Sequence, residues 1–176
     1  MANALTAVRL ALVLPTAVAF ARPELLAPIV VVLLLSVAMA SDYLDGRVAR
    51  MTGTASAKGQ LFDHGTDCLF VSAGLTGAAM SGVVTPLLPA LIPVAFGQYV
   101  VDSYVWHRQK QLRASVLGRW NGILYFLPLV LIAVARLRLP VDATSFLLSA
   151  AGALGYGLVA STVASVIDRA TAFRSH

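Results

Sequence analysis

Charge is what this chain lacks most. Of its 176 residues only 12% are charged, against 59% hydrophobic, where an ordinary soluble domain is about one-quarter charged and about half apolar. A chain this short has too little interior to bury so much apolar surface, so most of it must face lipid. A soluble globular enzyme and a disordered chain are thereby excluded. Cysteine is nearly absent: Cys68 stands alone, which rules out an intrachain disulfide and a disulfide-built secreted scaffold. Glutamate is as scarce, with only Glu24. No run of three basic residues occurs, so the net charge of +5 and pI near 9.9 do not point to nucleic acid. In a membrane protein the same excess reflects loops held at an anionic cytoplasmic leaflet.

What the chain has in abundance is apolar runs. Residues 10–20 have the length of a signal-peptide core, and Ala19-Phe20-Ala21 resembles a cleavage site. Only Arg9 precedes the run, however, and more apolar segments follow directly, so it reads as a first membrane helix. A span needs about 20 mostly apolar residues. Six are expected, over 5–21, 25–40, 68–84, 87–106, 120–135 and 144–167. Their apolar runs are continuous rather than alternating, which favours helices over a barrel. The expected architecture is an all-α integral membrane protein of six transmembrane helices, one domain over 1–176 without internal repeat.

Basic residues set the expected orientation. Arg9, Arg47, Arg50, Lys58, Arg108, Lys110, Arg113, Arg119, Arg169 and Arg174 fall on one side of the six spans; Arg22, Arg136 and Arg138 fall on the other. By the positive-inside rule the first group is cytoplasmic, and both termini with it. Trp106 and Trp120 then sit at span ends as interfacial anchors.

Acidic residues are few, yet Asp42, Asp45, Asp63 and Asp67 crowd into 26 positions, between spans two and three. Asp42 and Asp45 are three apart and Asp63 and Asp67 four apart, so on helices each pair shares a face. If span two runs on past the membrane surface and span three begins early, the two faces meet. Four carboxylates so gathered repel one another unless neutralised. Hard divalent cations suit oxygen ligands, and Mg²⁺ or Mn²⁺, completed by substrate phosphates, fits best; nothing here groups His and Cys for zinc. Gly46 and Gly59 leave room for a close approach of backbone or a flat base, and Arg50 and Lys58 supply cations for phosphate oxygens. A solvated acidic loop would account for two aspartates; four at paired helical spacing point to a cation site.

The segment reads D-x-x-D-G-x-x-A-R-x8-G-x3-D-x3-D, with Asp42, Asp45, Gly46, Ala49, Arg50, Gly59, Asp63 and Asp67 in its fixed places. It resembles the signature of the CDP-alcohol phosphatidyltransferase family at every one of those positions. Asn3-Ala-Leu5-Thr6-Ala-Val-Arg9-Leu10 resembles, more weakly, the opening of many members. The resemblance implies a six-helix membrane transferase of phospholipid biosynthesis, typically a homodimer. Such an enzyme moves a substituted phosphate from a CDP-linked alcohol, here CDP-diacylglycerol, to a hydroxyl acceptor and releases CMP. It further implies that Asp42, Asp45, Asp63 and Asp67 hold a pair of Mg²⁺ or Mn²⁺ ions. Asp67 would also be the catalytic general base, and Gly46, Ala49, Arg50 and Gly59 would shape the CDP site. The active site would lie on the cytoplasmic side of a bacterial or archaeal-type plasma membrane, with the lipid donor entering sideways and a polar acceptor entering from water.

The acceptor is less legible. Arg108, Lys110, Arg113 and Arg119 share the aspartates' side and are candidates for an acceptor phosphate, where arginine gives bidentate contacts; the positive-inside bias also accounts for them. Residues 117–122 are similar, at Gly118 and Arg119 only, to the segment before the fifth helix of phosphatidylglycerophosphate synthases. The glutamate–arginine repeat of phosphatidylinositol-phosphate synthases is missing. Glycerol-3-phosphate is therefore the first choice, with phosphatidylglycerol, serine and an inositol phosphate open. His64 and Asp102 are further candidates, each with a plain structural alternative. Gly152, Gly155 and Gly157 suit close helix packing, in the chain or at a dimer interface. A polyprenyl transferase would need a second aspartate-rich motif. A small ion-coupled transporter would place its carboxylates near the bilayer midplane.

Overall fold

The protein, a computed structural model, is described over residues 2–51, 56–101, 103 and 116–172. It is built of helices α1 (Ala2–Ala21), α2 (Pro28–Met51), α3 (Ala57–Met80), α4 (Leu87–Val101), α5 (Val116–Leu124), α6 (Phe126–Ala135) and α7 (Val141–Ala172), with no strand among the described residues. The polar stretch expected to interrupt the second and third spans is largely helical. No proline stands between Pro28 and Pro86, and polarity alone does not end a helix. Ser56 caps α3, its Oγ accepting the Gly59 N–H at 3.1 Å, as an N-cap serine does. At the far end Gly82 takes φ +78°, which glycine adopts without strain. The N–H groups of Gly82 and Val83 there donate to the carbonyls of Ala79 and Ala78, closing the helix.

The span expected over 120–135 is already helical at Val116, where the described residues resume, and is broken at Tyr125 into α5 and α6. Pro128 explains the break: it has no N–H for the Leu124 carbonyl, and its ring crowds that turn. Tyr125 is held at the bend by Thr162 of α7, oxygen to oxygen 2.7 Å. Among the described residues, two helical stretches reach full spanning length and apolarity, Leu117–Ala135 and Val141–Thr171. The apolar stretches in α1, α2 and α4 are shorter, Thr6–Ala21, Pro28–Leu44 and Leu87–Val101. The end of the expected fourth span, with Asp102 and Trp106, lies outside the described residues, as do Arg108, Lys110 and Arg113.

Helix α1 packs against α2 and α3, α4 bridges α3 to α7, and α6 lies on α7. The buried stripe of α1 is Thr6, Arg9, Val13, Thr16 and Phe20, spaced alternately three and four, the repeat of a helix–helix seam. Glycines let α3 approach. A Cβ at Gly77 would lie 2.3 Å from the Ala17 carbonyl oxygen, and one at Gly74 would lie 2.9 Å from Leu129. Gly152 and Gly155 of α7 similarly back onto the Val83 carbonyl and the Val84 side chain, so their close packing is within the chain. Gly157 is open.

The helices alternate in direction. At one end Arg136, just past α6, donates to the carbonyls of Ala19 and Phe20 at the end of α1. At the other, Arg9 near the start of α1 meets carboxylates from the second half of α2 and the first half of α3. The last turns of α4 and α7 and the start of α5 come to that same end.

Candidate active site

Two helix faces make the acidic floor. Asp42 comes from α2, and Asp63 and Asp67 come from one face of α3. Each of the three offers an oxygen within 4.8 Å of the others. The convergence follows from α2 and α3 both extending through the polar stretch, which keeps the paired spacing on helical faces.

At the centre of the three stands Arg9. Its Nη2 donates to Asp42 Oδ1 at 2.9 Å, and its Nη1 donates to Asp63 Oδ1 at 3.3 Å and to Asp67 Oδ1. The Arg9 side chain is 0% exposed, whereas those of Asp42, Asp63 and Asp67 are 42%, 23% and 27% exposed. The guanidinium therefore approaches from the protein side and the carboxylates keep an open side. A buried arginine needs such partners, because an uncompensated charge there is strongly destabilising. One cation does not neutralise three carboxylates. Asp67, just before the apolar part of α3, is pushed up to about 7 by burial and by the charge of Asp42, against the opposing pull of Arg9.

These residues fit a hard divalent cation. The donors are all carboxylate oxygens, they are close enough to share one ion, and the excess negative charge calls for one. Among the described residues no other such group of His, Cys, Asp or Glu occurs.

The open side of the floor faces a cavity of about 530 Å³. Gln60, His64, Asp67 and Val71 line it from α3, spaced four, three and four, so one helical face supplies them. Asp42 enters from α2, Gly118 and Arg119 from α5, and Ser165 and Arg169 from α7. Arg169 lies over the Tyr99 ring at 4.8 Å, a cation–π geometry that holds its head at the cavity wall. The cavity thus has acidic groups from α2 and α3 and basic groups from α5 and α7, with apolar wall between.

Asp45, Gly46, Ala49 and Arg50 lie on α2 beyond Asp42, with their side chains outside the described residues. Gly59 is in the first turn of α3, and the place of its missing Cβ is 3.1 Å from Ser56 Oγ. Lys58 is exposed. His64 lines the cavity with Nδ1 3.9 Å from Asp63 Oδ2. Of the four cations considered for an acceptor phosphate, Arg119 is described and lines the cavity. Two residues of this region were not expected in the site. Arg9 counted toward orientation and stood in the segment that resembles the family's opening, without a role, although an arginine within an apolar run demands an anionic partner. Arg169 counted only toward orientation, although it lies one turn past Ser165 on the face of α7 that meets the cavity.

Comparison with known families matches residues 1–169 to the CDP-alcohol phosphatidyltransferase model. No match is found among curated proteins or among solved structures.

Proposed function

Because the chain belongs to the CDP-alcohol phosphatidyltransferase family, membrane-integral enzymes that transfer substituted phosphate groups in phospholipid synthesis, we propose that its donor is CDP-diacylglycerol and its acceptor glycerol-3-phosphate. The observation that carries the reading is that Asp42 and Asp67 line one cavity together with Arg119 and Arg169. In the proposed reaction the acceptor hydroxyl oxygen forms a bond to the lipid-bearing phosphorus. The bond from that phosphorus to the bridging oxygen breaks, and CMP leaves with the electron pair. Asp67 takes the hydroxyl proton; an alcohol is a poor nucleophile until a base within hydrogen-bond reach removes it. Arg119 and Arg169 are cationic donors suited to the acceptor phosphate, and Arg119 can bind it in bidentate fashion. Gly46, Ala49, Arg50 and Gly59 are proposed to shape the cytidine site from α2 and the start of α3.

Asp42, Asp63 and Asp67, with Asp45 on the same helix as Asp42, would hold Mg²⁺ or Mn²⁺, one ion or a pair. The metal when bound supplies Lewis-acid stabilisation of the charge that develops on the diphosphate. The six-pass topology with both termini and the site on the cytoplasmic side is part of the same proposal. It is supported by the site's position at one end of an alternating bundle and by the basic residues that share that end. A homodimer remains the expectation drawn from family resemblance.

The test is to incubate purified protein with CDP-diacylglycerol, Mg²⁺ and each of glycerol-3-phosphate, phosphatidylglycerol, serine and inositol phosphate in turn, and to identify the lipid product by mass. CMP and a glycerol-3-phosphate adduct in stoichiometric amounts are expected. A different adduct would replace the acceptor; no adduct with any acceptor would remove the proposed donor.

A further inference from the structure

We infer that Arg9 is a positioning residue of the metal site, a fixed internal cation that gathers Asp42, Asp63 and Asp67 from behind and leaves their open side to the divalent ion. The inference rests on the metal-dependent reading above and adds a residue to it from a different helix.

Three observations carry it. The first is reach: one guanidinium contacts Oδ1 of all three carboxylates, across α2 and α3. The planar fork of arginine allows two nitrogens to serve separate carboxylates at once, which a lysine ammonium on a flexible stem does not reproduce. The second is burial. The Arg9 side chain has no exposed surface and lies in the seam between Thr6 and Val13, both buried on the same stripe. The third is sidedness. Asp42 and Asp67 line the cavity, whereas Arg9 does not, so the arginine and a cation admitted through the cavity use opposite sides of the same carboxylates.

Charge and geometry then work together. Three gathered carboxylates repel, and without a cation behind them α2 and α3 would be driven apart at this level. Arg9 keeps the group assembled before the metal arrives, so metal binding need not bear the ordering. Groups that orient metal ligands in this way are worth roughly 10- to 100-fold in metal affinity.

The experiment is a Mn²⁺ titration of the purified full chain in detergent, with free Mn²⁺ read from its electron paramagnetic resonance signal, for wild type, Arg9→Lys, Arg9→Gln and Arg136→Lys. Melting temperatures at saturating Mn²⁺ report folding. The expected result is a Kd for Mn²⁺ weakened roughly 10- to 100-fold in both Arg9 variants and unchanged in Arg136→Lys. The Mn²⁺ concentration for half-maximal CMP release should rise in step. A merely structural role would lower melting temperature and leave the Kd alone. If Arg9→Gln does not fold, Arg9→Lys, which keeps the charge and the stem, decides. A folded Arg9 variant that binds Mn²⁺ as tightly as wild type, or more tightly, overturns the inference. Wild-type protein that binds no Mn²⁺ instead overturns the metal reading on which it rests.

Discussion

Arg136 and Arg9 pack at opposite ends of the bundle, and they do opposite things. Arg136 turns back onto the end of α1, donates to the carbonyls of Ala19 and Phe20 at 2.6 and 3.1 Å, and lies over the Phe20 ring. Its partners are the unpaired carbonyls every helix leaves at its C-terminus, so its charge is used up in holding helices together. Arg9 sits at the start of the same helix and meets three carboxylates that no backbone requirement placed there. Apolar packing and close glycine contacts make the first end a fastening. At the second end one guanidinium meets three carboxylates beside an open cavity.

Breaking either end should show the difference. The largest effect is expected at the acidic floor. Asp63→Asn should lower CMP release by at least roughly 100-fold, beyond the loss of an outer partner alone, with helicity by circular dichroism preserved. Next is the basic wall: Arg119→Gln should raise KM for glycerol-3-phosphate by about tenfold or more, the worth of a charge-assisted hydrogen bond, with KM for CDP-diacylglycerol unchanged. Steady-state kinetics with each substrate varied in turn separates the two. A smaller effect is expected in the seam that joins the ends. Gly77→Ala puts a methyl group against the Ala17 carbonyl and must push α1 off α3, at a cost of about 1–3 kcal/mol. A lower melting temperature should then come with reduced turnover, because the same seam carries Arg9 to Asp63 and Asp67. Smallest is the fastening itself. Arg136→Gln should cost about 1–2 kcal/mol of stability and leave CMP release per folded molecule as in wild type, measured on the monodisperse fraction.

The same contrast governs what could be read from the sequence. Asp42, Asp63 and Asp67 were legible because helical spacing is a local property, and their meeting needed only that both helices continue through a polar stretch. Arg9 was not legible in its role: its partners lie 33, 54 and 58 residues away, and in sequence it served only to orient the first expected span, 5–21, and to mark the family-like opening. The anionic partner that its place inside an apolar run demands was the available signal. Arg136 likewise read as an outer-loop cation, because nothing local announces that a connector will fold back to cap α1. The bend at Tyr125 was readable in principle from Pro128. That the helix already includes 116–119 was hidden by Gly118 and Arg119, which read as part of a connector. Arg169 became visible as a cavity residue only once α7 was seen to run past the expected end at 167, to Ala172.

The central claim, that the acidic end of the bundle is a transferase site with Asp67 as its base, is tested most directly by one comparison. Wild-type protein and Asp67→Asn, purified in parallel and matched in melting temperature, are given CDP-diacylglycerol, Mg²⁺ and glycerol-3-phosphate, and CMP release is followed. Acceptor-dependent release by wild type that falls roughly 10²- to 10⁴-fold in the variant, the worth of a general base, is the expected result. Release by Asp67→Asn at the wild-type rate would contradict it.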